Sequence, residues 1–395
     1  MKNIHDEGLR QPARFAGIPS IDRSFCEQQV AWVLTKLDAN LPVFRETFPA
    51  PASQNLVYPA IGNIEWTSSF WTGLLWLAYE ISGDVKYREA AAVQLPSYSR
   101  RIAERIETAT HDLGFLYSLS CVAAANLTAD KQAEATAVQA AELLTERYFE
   151  PAGIIQAWGD LNDPEQRGRL IIDCCMNLPL LYWAAQIAGE RRYYEIAYHH
   201  ACQAANYLVR EDASTYHTFY MDVATGAPRF GKTAQGYSDD SCWARGQAWA
   251  IYGFGLSYRY TRDWRFITLA QKVAHYFLNR LPEDYICYWD LSFTTGPEER
   301  DSSAAAIAAC GLLELAKHLP LSEPHRTAYE NAALQFIRSL AASYTTAGIP
   351  HSNGLLQHAV YSKPAGAGVD ECNIWGDYFY LEALVRLVKD WQPYW

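Results

Sequence analysis

The strongest constraint in this sequence is a helical hairpin that recurs with a shared joint. The segments "YEISGDVKYREAA", "AQIAGERRYYEIA" and, more loosely, "YRYTRDWRFITLA" align Gly83, Gly189 and Arg262, with Tyr87, Tyr193 and Phe266 four positions on. In the first two, the glycine suits the left-handed position just past a helix end, where a Cβ is disfavoured. One such hairpin cannot bury its own apolar face. Repetition therefore calls for hairpins stacked on hairpins in one closed array.

Apolar spacing of period 3.6, read with helix start and stop signals, predicts helices over 24–40, 67–82, 85–107, 113–127, 129–148, 175–188, 190–209, 245–261, 263–280, 302–318, 323–345 and 376–391. Strand signals are few: "TYHTFYMD" (215–222) alternates, and "YICYWDL" is a second candidate. Twelve helices pair into six hairpins, so the expected fold class is all-α, a six-hairpin α/α toroid with minor short strands. No Pro, Gly or Ser-rich linker divides the chain, which reads as one domain over 1–395 with residues 1–22 as an N-terminal extension. In a toroid the chemistry belongs in the loops that lead into the inner helices. The polar-aromatic stretches fall there: "NIEWTSSFW", "THDLGF", "IIDCCMN", "CWARGQAW" and "NIWGDYFY".

Composition narrows the function. A net charge of −11 disfavours nucleic acid and anionic membranes as partners, and no run approaches the roughly 20 apolar residues of a membrane span. The N-terminus is polar and unlike a signal peptide, so a cytoplasmic protein is expected. Nine cysteines without a CxxC, mostly in apolar contexts, read as reduced buried thiols. The 13 Trp and 26 Tyr often stand beside Gly, Asp or Asn rather than in aliphatic runs, which points to carbohydrate stacked on aromatic rings.

Two aspartates carry the candidate chemistry. Asp173 follows "GRLII" and precedes "CCMNLPLLYW"; desolvation in so apolar a setting raises a carboxyl pKa, which suits a general acid. The plainer reading is a helix cap that accepts backbone N–H bonds. Asn177 shares a face with Asp173 if the segment is helical. Asp112, preceding an apolar helix, has an even stronger reading as an N-cap. His111 has no partners at metal-ligand spacing, and His199 and His200 belong on an outer helix, so no catalytic metal is expected. No nucleophile elbow, P-loop or dinucleotide fingerprint is present.

The strings "HDLGFLYSLS", "GIIQAWGD", "IIDCCMNLPLL", "YHTFYMD", "QGYSDDSCWARGQAWAIYGF", "RDSSAAAIAACGLLE" and "VDECNIWGDYFYLEAL", in order from about residue 60 to 390, closely resemble the unsaturated glucuronyl hydrolases, a bacterial glycoside hydrolase family. The resemblance implies the toroid, a reaction without metal or other cofactor, and removal of the 4,5-unsaturated uronic acid from the non-reducing end of oligosaccharides left by polysaccharide lyases. It matches Asp173 to the catalytic acid/base and Asp112 to the second essential aspartate. His217, Gln235, Arg245 and Trp249 match residues around the unsaturated sugar, Trp66 and Trp158 match aromatic walls, and His111 and Tyr361 join the substrate-binding set. Arg245 is the expected charged group for the uronate carboxylate. The partner implied is an unsaturated uronyl oligosaccharide, acted on by a monomer.

Two departures bear on specificity. Members that prefer sulfated disaccharides resemble one another in an S-x-x-S-x-K cluster; "YSKPAGAGVDE" keeps Ser362 but has Ala365 and Ala367 in the other places, with Lys363 out of register. Weak preference for sulfate is expected. Some members also carry a His where this chain has Ala234. The competing readings are an unsaturated rhamnogalacturonyl hydrolase acting on pectin fragments and a non-catalytic sugar-binding toroid.

Overall fold

The computed structural model describes residues 2–17 and 21–395. Its helices are α1 (Arg23–Asn40), α2 (Ser68–Ser82), α3 (Val85–Ala103), α4 (Leu113–Tyr117), α5 (Ala123–Thr128), α6 (Lys131–Thr145), α7 (Cys174–Asn177), α8 (Pro179–Ala188), α9 (Arg191–Gln203), α10 (Ala244–Thr261), α11 (Trp264–Leu278), α12 (Ser302–His318), α13 (Arg326–Ser343) and α14 (Ile374–Val388). Burial sorts them into two rings. Every residue of α10 from Ala244 to Tyr258 is buried, as is every residue of α14 from Ile374 to Val385. A helix buried all round can only be internal. By contrast α11 buries Phe266, Leu269, Ala270, Val273 and Phe277, one face at helical spacing, and so belongs to the outer ring. Helix α14 packs on α1 and α2, which closes the circle of six hairpins. The structure is the expected α/α toroid, and no helix among the described residues is long and apolar enough to cross a membrane.

The repeated joint folds alike each time. Gly83, Gly189 and Arg262 all sit in the left-handed conformation at helix C-caps, with φ of 71°, 68° and 58°. Asp84 and Asp263 then cap the next helix by accepting from the backbone N–H of Lys86 and Arg265. Tyr87, Tyr193 and Phe266 are buried in the seam between helices.

Several expected boundaries moved. The helix expected over 113–127 is interrupted by a π-turn at Ser118–Val122, where the Ser120 hydroxyl donates to the Leu116 carbonyl and competes with the helix ladder. The helix expected over 190–209 likewise ends in a π-turn, Ala204–Leu208. Pro179, which has no N–H to donate, separates α7 from α8 within 175–188. The helix expected to reach residue 107 stops at Ala103, because Arg105 and Glu107 turn left-handed. The candidate strand "YICYWDL" forms only isolated bridges, Trp243 with Asp290 and Tyr288 with Arg300. Nor does the N-terminal extension stand apart: Ile4 and Phe15 are buried, His5 donates its N–H to the Glu211 carbonyl, and Asp6 pairs with His275 on α11.

The strands decorate the loops before the inner helices. They are β1 (Phe48–Pro49), β2 (Ala60–Ile61), β3 (Tyr148–Phe149), β4 (Ile154–Ile155), β5 (Arg169–Ile171), β6 (Thr218–Met221), β7 (Pro228–Lys232), β8 (Ala359–Ser362) and β9 (Ala367–Glu371). Strand β6 is the one expected from sequence. It forms the middle of a sheet in the order β5-β6-β7, while the rest pair as hairpins. The β3–β4 hairpin is pinned from below by His200 of α9, whose buried Nδ1 accepts from the Ile155 N–H at 2.7 Å. Burial pushes the His200 pKa down to about 3, so the native imidazole is neutral. Below its unfolded value of about 6.5 only the unfolded chain takes a proton there, so stability present above that pH is lost as pH falls toward 3. His200→Asn keeps an acceptor for Ile155 and removes the titration. Urea unfolding at pH 7.5 and pH 5 is expected to show the variant losing about 2 kcal/mol less than the wild type over that interval.

Candidate active site

A cavity of about 960 Å³ opens where the loops into the inner helices converge. Asp112 immediately precedes α4 and Asp173 immediately precedes α7, the positions that suggested helix caps. Neither carboxylate caps: no side-chain bond to its helix forms in either case. Both instead line the cavity. The Asp112 carboxylate accepts from Thr110 Oγ1 at 2.7 Å and from Asn177 Nδ2 at 3.4 Å.

What brings the two helix starts together is an absent side chain. A Cβ on Gly114 would lie 2.3 Å from the Asn177 Cα and carbonyl oxygen, so only glycine permits this backbone approach. Asn177 then bridges the pair, accepting from the Phe115 N–H at 2.8 Å and donating to Asp112 and to the Asp173 carbonyl. Sequence spacing placed Asn177 on the Asp173 face. It could not show that the residue also reaches Asp112.

His111 stands behind the two carboxylates. Its backbone N–H donates to the Ala157 carbonyl, which fixes it against the strand end after β4. Nε2 lies 3.4 Å from Asp112 Oδ1 and 3.2 Å from Asp173 Oδ1. The alignment is poor for a hydrogen bond: both ring nitrogens and Asp173 Oδ1 are buried with no bonded partner among the described residues. This is a charge contact shared between two acceptors. Burial pushes the His111 pKa down, but the charges of Asp112 and Asp173 outweigh it and the net shift is upward. For Asp112, burial raises the pKa and the Asp173 charge adds to that, while His111, Thr110 and Asn177 oppose it. His111, Asp112 and Asp173 offer three atoms within 4.8 Å of one another, a spacing that a divalent cation could also bridge.

Of the other residues singled out from sequence, Trp66, Trp158, His217, Gln235 and Tyr361 line the cavity. Trp66 is stacked on Trp375 and donates through Nε1 to the Tyr361 hydroxyl at 3.1 Å. His217 Nδ1 accepts from the Ala234 and Gln235 N–H groups, and burial lowers its pKa to about 3. It is thus a neutral imidazole with Nε2–H as its donor. Gln235 Nε2 donates to the Tyr361 carbonyl at 3.3 Å.

Trp249 and Arg245 are not on the wall. Trp249 is buried against Phe115 and Phe379. Arg245 is 1 % exposed: it pairs with buried Asp301 at 3.2 Å, donates to the Val360 carbonyl and donates to the Tyr361 carbonyl at 2.7 Å. Its guanidinium spends three donations on Asp301 and the two β8 carbonyls, so it holds β8 in place. The arginines on the wall are Arg101 and Arg147, neither singled out from sequence. Arg101 donates to the carbonyls of Ile106, Glu65, Ile64 and Glu107, and Arg147 to those of Gln156 and Gly159. They knot the wall loops together. Their helical spacing carried no signal, because the carbonyls they meet belong to other loops. Thr110 was legible only as part of the "THD" string.

The site can be set beside known proteins. Residues 51–288 match the family described as Glycosyl Hydrolase Family 88, more than half of the chain. This chain belongs to that family. Its membership makes it a glycoside hydrolase, and the similarity runs well beyond the matched span. An unsaturated chondroitin disaccharide hydrolase of Streptococcus pneumoniae (strain ATCC BAA-255 / R6) is 47 % identical over 396 residues, covering 100 % of both chains. The crystal structure of an unsaturated glucuronyl hydrolase from Streptococcus agalactiae superposes with a TM-score of 0.97 at 45 % identity, again over 100 % of both. A mutant of the S. agalactiae enzyme complexed with dGlcA-GalNAc6S has a TM-score of 0.90 at 42 % identity, covering 100 % of each chain.

Within family 88 the Gly114 contact yields a direct test. Gly114→Ala must push the start of α4 off Asn177, moving Asp112 away from Asp173. Thermal unfolding is expected to show a loss of about 1–3 kcal/mol. Assayed well below the melting temperature, kcat should fall at least ~10-fold, since small displacements of reacting groups are costly.

Proposed function

We propose that this chain releases the 4,5-unsaturated uronic acid from the non-reducing end of glycosaminoglycan-derived oligosaccharides by hydrating the C4=C5 vinyl ether. The observation that carries the reading is the arrangement of Asp112 and Asp173, uncapped, with oxygens within 4.8 Å of each other through the His111 cluster. An inverting glycosidase keeps its carboxyl groups roughly 6.5–9.5 Å apart to admit a water, and a retaining one, at roughly 5–5.5 Å, needs them on opposite sides of the anomeric carbon, whereas here one oxygen of each carboxylate faces the same imidazole. A hydration needs only one carboxyl at the double bond. Asp173 donates its proton to C4; the carboxylate so formed takes a proton from water as that water adds at C5. The hemiketal opens and expels the remaining saccharide. Asp112 holds sugar hydroxyls beside it, and His111 balances the two carboxylates as the proton moves. The neutral His217 donates through Nε2–H, with Trp66 and Trp158 as apolar faces for the rings. Arg245 acts through the carbonyl of Tyr361, which it bonds, rather than by reaching the uronate.

The reading includes a preference for unsulfated over 6-sulfated substrates. Ala367 pairs with Ser362 across β8 and β9 and offers no cation, and Lys363 is consumed by an ion pair with Glu299. Glu65, Glu107 and Asp160 on the cavity wall add negative charge that repels a sulfate. The S. agalactiae mutant is complexed with the 6-sulfated dGlcA-GalNAc6S, so a side-by-side assay with that relative checks the reading. The reading also takes the chain as one catalytic unit over 1–395, active as a monomer in the cytoplasm.

The test is loss of the unsaturated uronate absorbance across a panel of disaccharides. Asp173→Asn is expected to lose at least ~10³-fold in kcat, the scale of removing an essential proton donor; wild-type rates in that variant would point to the non-catalytic toroid. Unsulfated chondroitin disaccharide should be turned over faster than its 6-sulfated form. Preference for an unsaturated rhamnogalacturonan disaccharide would favour the pectin reading.

A further inference from the structure

Four histidines are buried among the described residues, His111, His200, His217 and His275. Three of them are held by hydrogen bonds. His200 Nδ1 accepts from the Ile155 N–H, His217 Nδ1 accepts from the Ala234 N–H, and His275 lies between Asp6 and the Tyr329 hydroxyl. His111 differs: it is 2 % exposed, and neither of its ring nitrogens has a hydrogen-bond partner among the described residues. Asp173 Oδ1, which its Nε2 faces, is unpaired as well. Buried polar atoms are costly to leave unmatched, and two that face each other ask for a third party.

The spacing of the groups is that of metal ligands. Zinc binds imidazole nitrogen and carboxylate oxygen at about 2.0–2.2 Å, and tetrahedral angles then hold neighbouring ligand atoms about 3.3 Å apart. His111 Nε2 lies 3.4 Å from Asp112 Oδ1 and 3.2 Å from Asp173 Oδ1. One nitrogen with two oxygens suits zinc better than magnesium or calcium, which favour oxygen-only shells. Both aspartates line the cavity, so a fourth position faces it and is open to a water. Thr110 Oγ1 donates to Asp112 Oδ2, the oxygen such an ion leaves free, and so orients the ligand. His111 Nδ1 has no comparable partner. Since loss of an outer partner costs about 10–100-fold in affinity, binding is micromolar rather than nanomolar.

We infer that His111 Nε2, Asp112 Oδ1 and Asp173 Oδ1 form a three-ligand site for a zinc ion, and that the ion inhibits the enzyme. Bound zinc holds both carboxylates as anions, so Asp173 has no proton to give to C4. The ion competes with the reaction and is not its cofactor. Binding needs only the three ligands; the inhibition rests on the reading that Asp173 carries out the hydration.

Zinc chloride titrated into the metal-free protein by calorimetry tests the site, with cobalt chloride as a spectroscopic probe. The wild type should take one ion with a Kd of about 1–10 µM, and cobalt should give the intense visible bands of a four-coordinate ion. His111→Gln and, separately, Asp112→Asn should each weaken zinc binding by at least about 100-fold and abolish the bands. His358→Asn removes the exposed His358–Asp370 pair, with a residue suited to the left-handed backbone there, and should leave zinc binding unchanged. Turnover of unsulfated unsaturated chondroitin disaccharide should be half lost at a zinc concentration near the Kd, return with EDTA, and be unaffected by millimolar magnesium. No wild-type binding up to about 100 µM zinc, or equal binding by the folded His111→Gln and Asp112→Asn variants, overturns the site. Binding at His111 that leaves turnover unchanged overturns the inhibition. A wild type that binds zinc there, yet turns over no unsaturated disaccharide in EDTA, overturns the hydration reading and leaves the metal site standing.

Discussion

The site depends on one close approach, between the start of α4 at Gly114 and the backbone of Asn177 in α7. Without it, Asp112 and Asp173 would be two aspartates on separate inner helices. With it, Asn177 ties both helix starts by hydrogen bonds, and neither aspartate spends its carboxylate on its own helix. A capping aspartate gains about 1 kcal/mol from the backbone N–H it satisfies. Here that gain is forgone at two adjacent inner helices, which is the form that functional strain commonly takes: local stability given up so that a polar group faces the ligand.

Electrostatics follows from the same contact. A buried imidazole and two half-buried carboxylates meet at one spot, where the charges of Asp112 and Asp173 act on His111 and that of Asp173 acts on Asp112. His111 is drawn toward its charged form by the carboxylates, and Asp112 is drawn toward its neutral form by burial. Both shifts favour the protonated forms, the direction that suits a hydration in which one carbon is protonated and a water deprotonated. His217, held neutral by burial and by two backbone N–H donors, adds a hydrogen-bond donor without adding charge.

The toroid answers how a protein of net charge −11 can take an anionic sugar. Six inner helices begin at the loops around one opening, and the N-terminal end of a helix carries partial positive charge. The local field at the opening is set by those helix starts and by the charges of the wall, Arg101 and Arg147 against Glu65, Glu107 and Asp160, not by the total charge. Arg101 and Arg147 are held by backbone carbonyls instead of carboxylates, so their charge is not cancelled by a paired anion.

Much of this was legible in the chain. The repeated joint at Gly83, Gly189 and Arg262 determined the hairpins, because a left-handed cap followed by an N-cap is a local property of a few residues. The polar-aromatic stretches marked the loops that lead into the inner helices, and the family resemblance singled out Asp112, Asp173, His217, Gln235, Trp66, Trp158 and Tyr361, all of which line the cavity. What failed was non-local. Arg245 looked like a ligand for the uronate, yet Asp301 and the carbonyls of Val360 and Tyr361 take its donors, and those partners lie 56 to 116 residues away. Asp112 and Asp173 read as caps, and sit where caps sit. Only the tertiary structure decided that their carboxylates turn away from their own helices, because Asn177, which ties the two helix starts, reaches Asp112 from the neighbouring hairpin across the close approach that Gly114 allows.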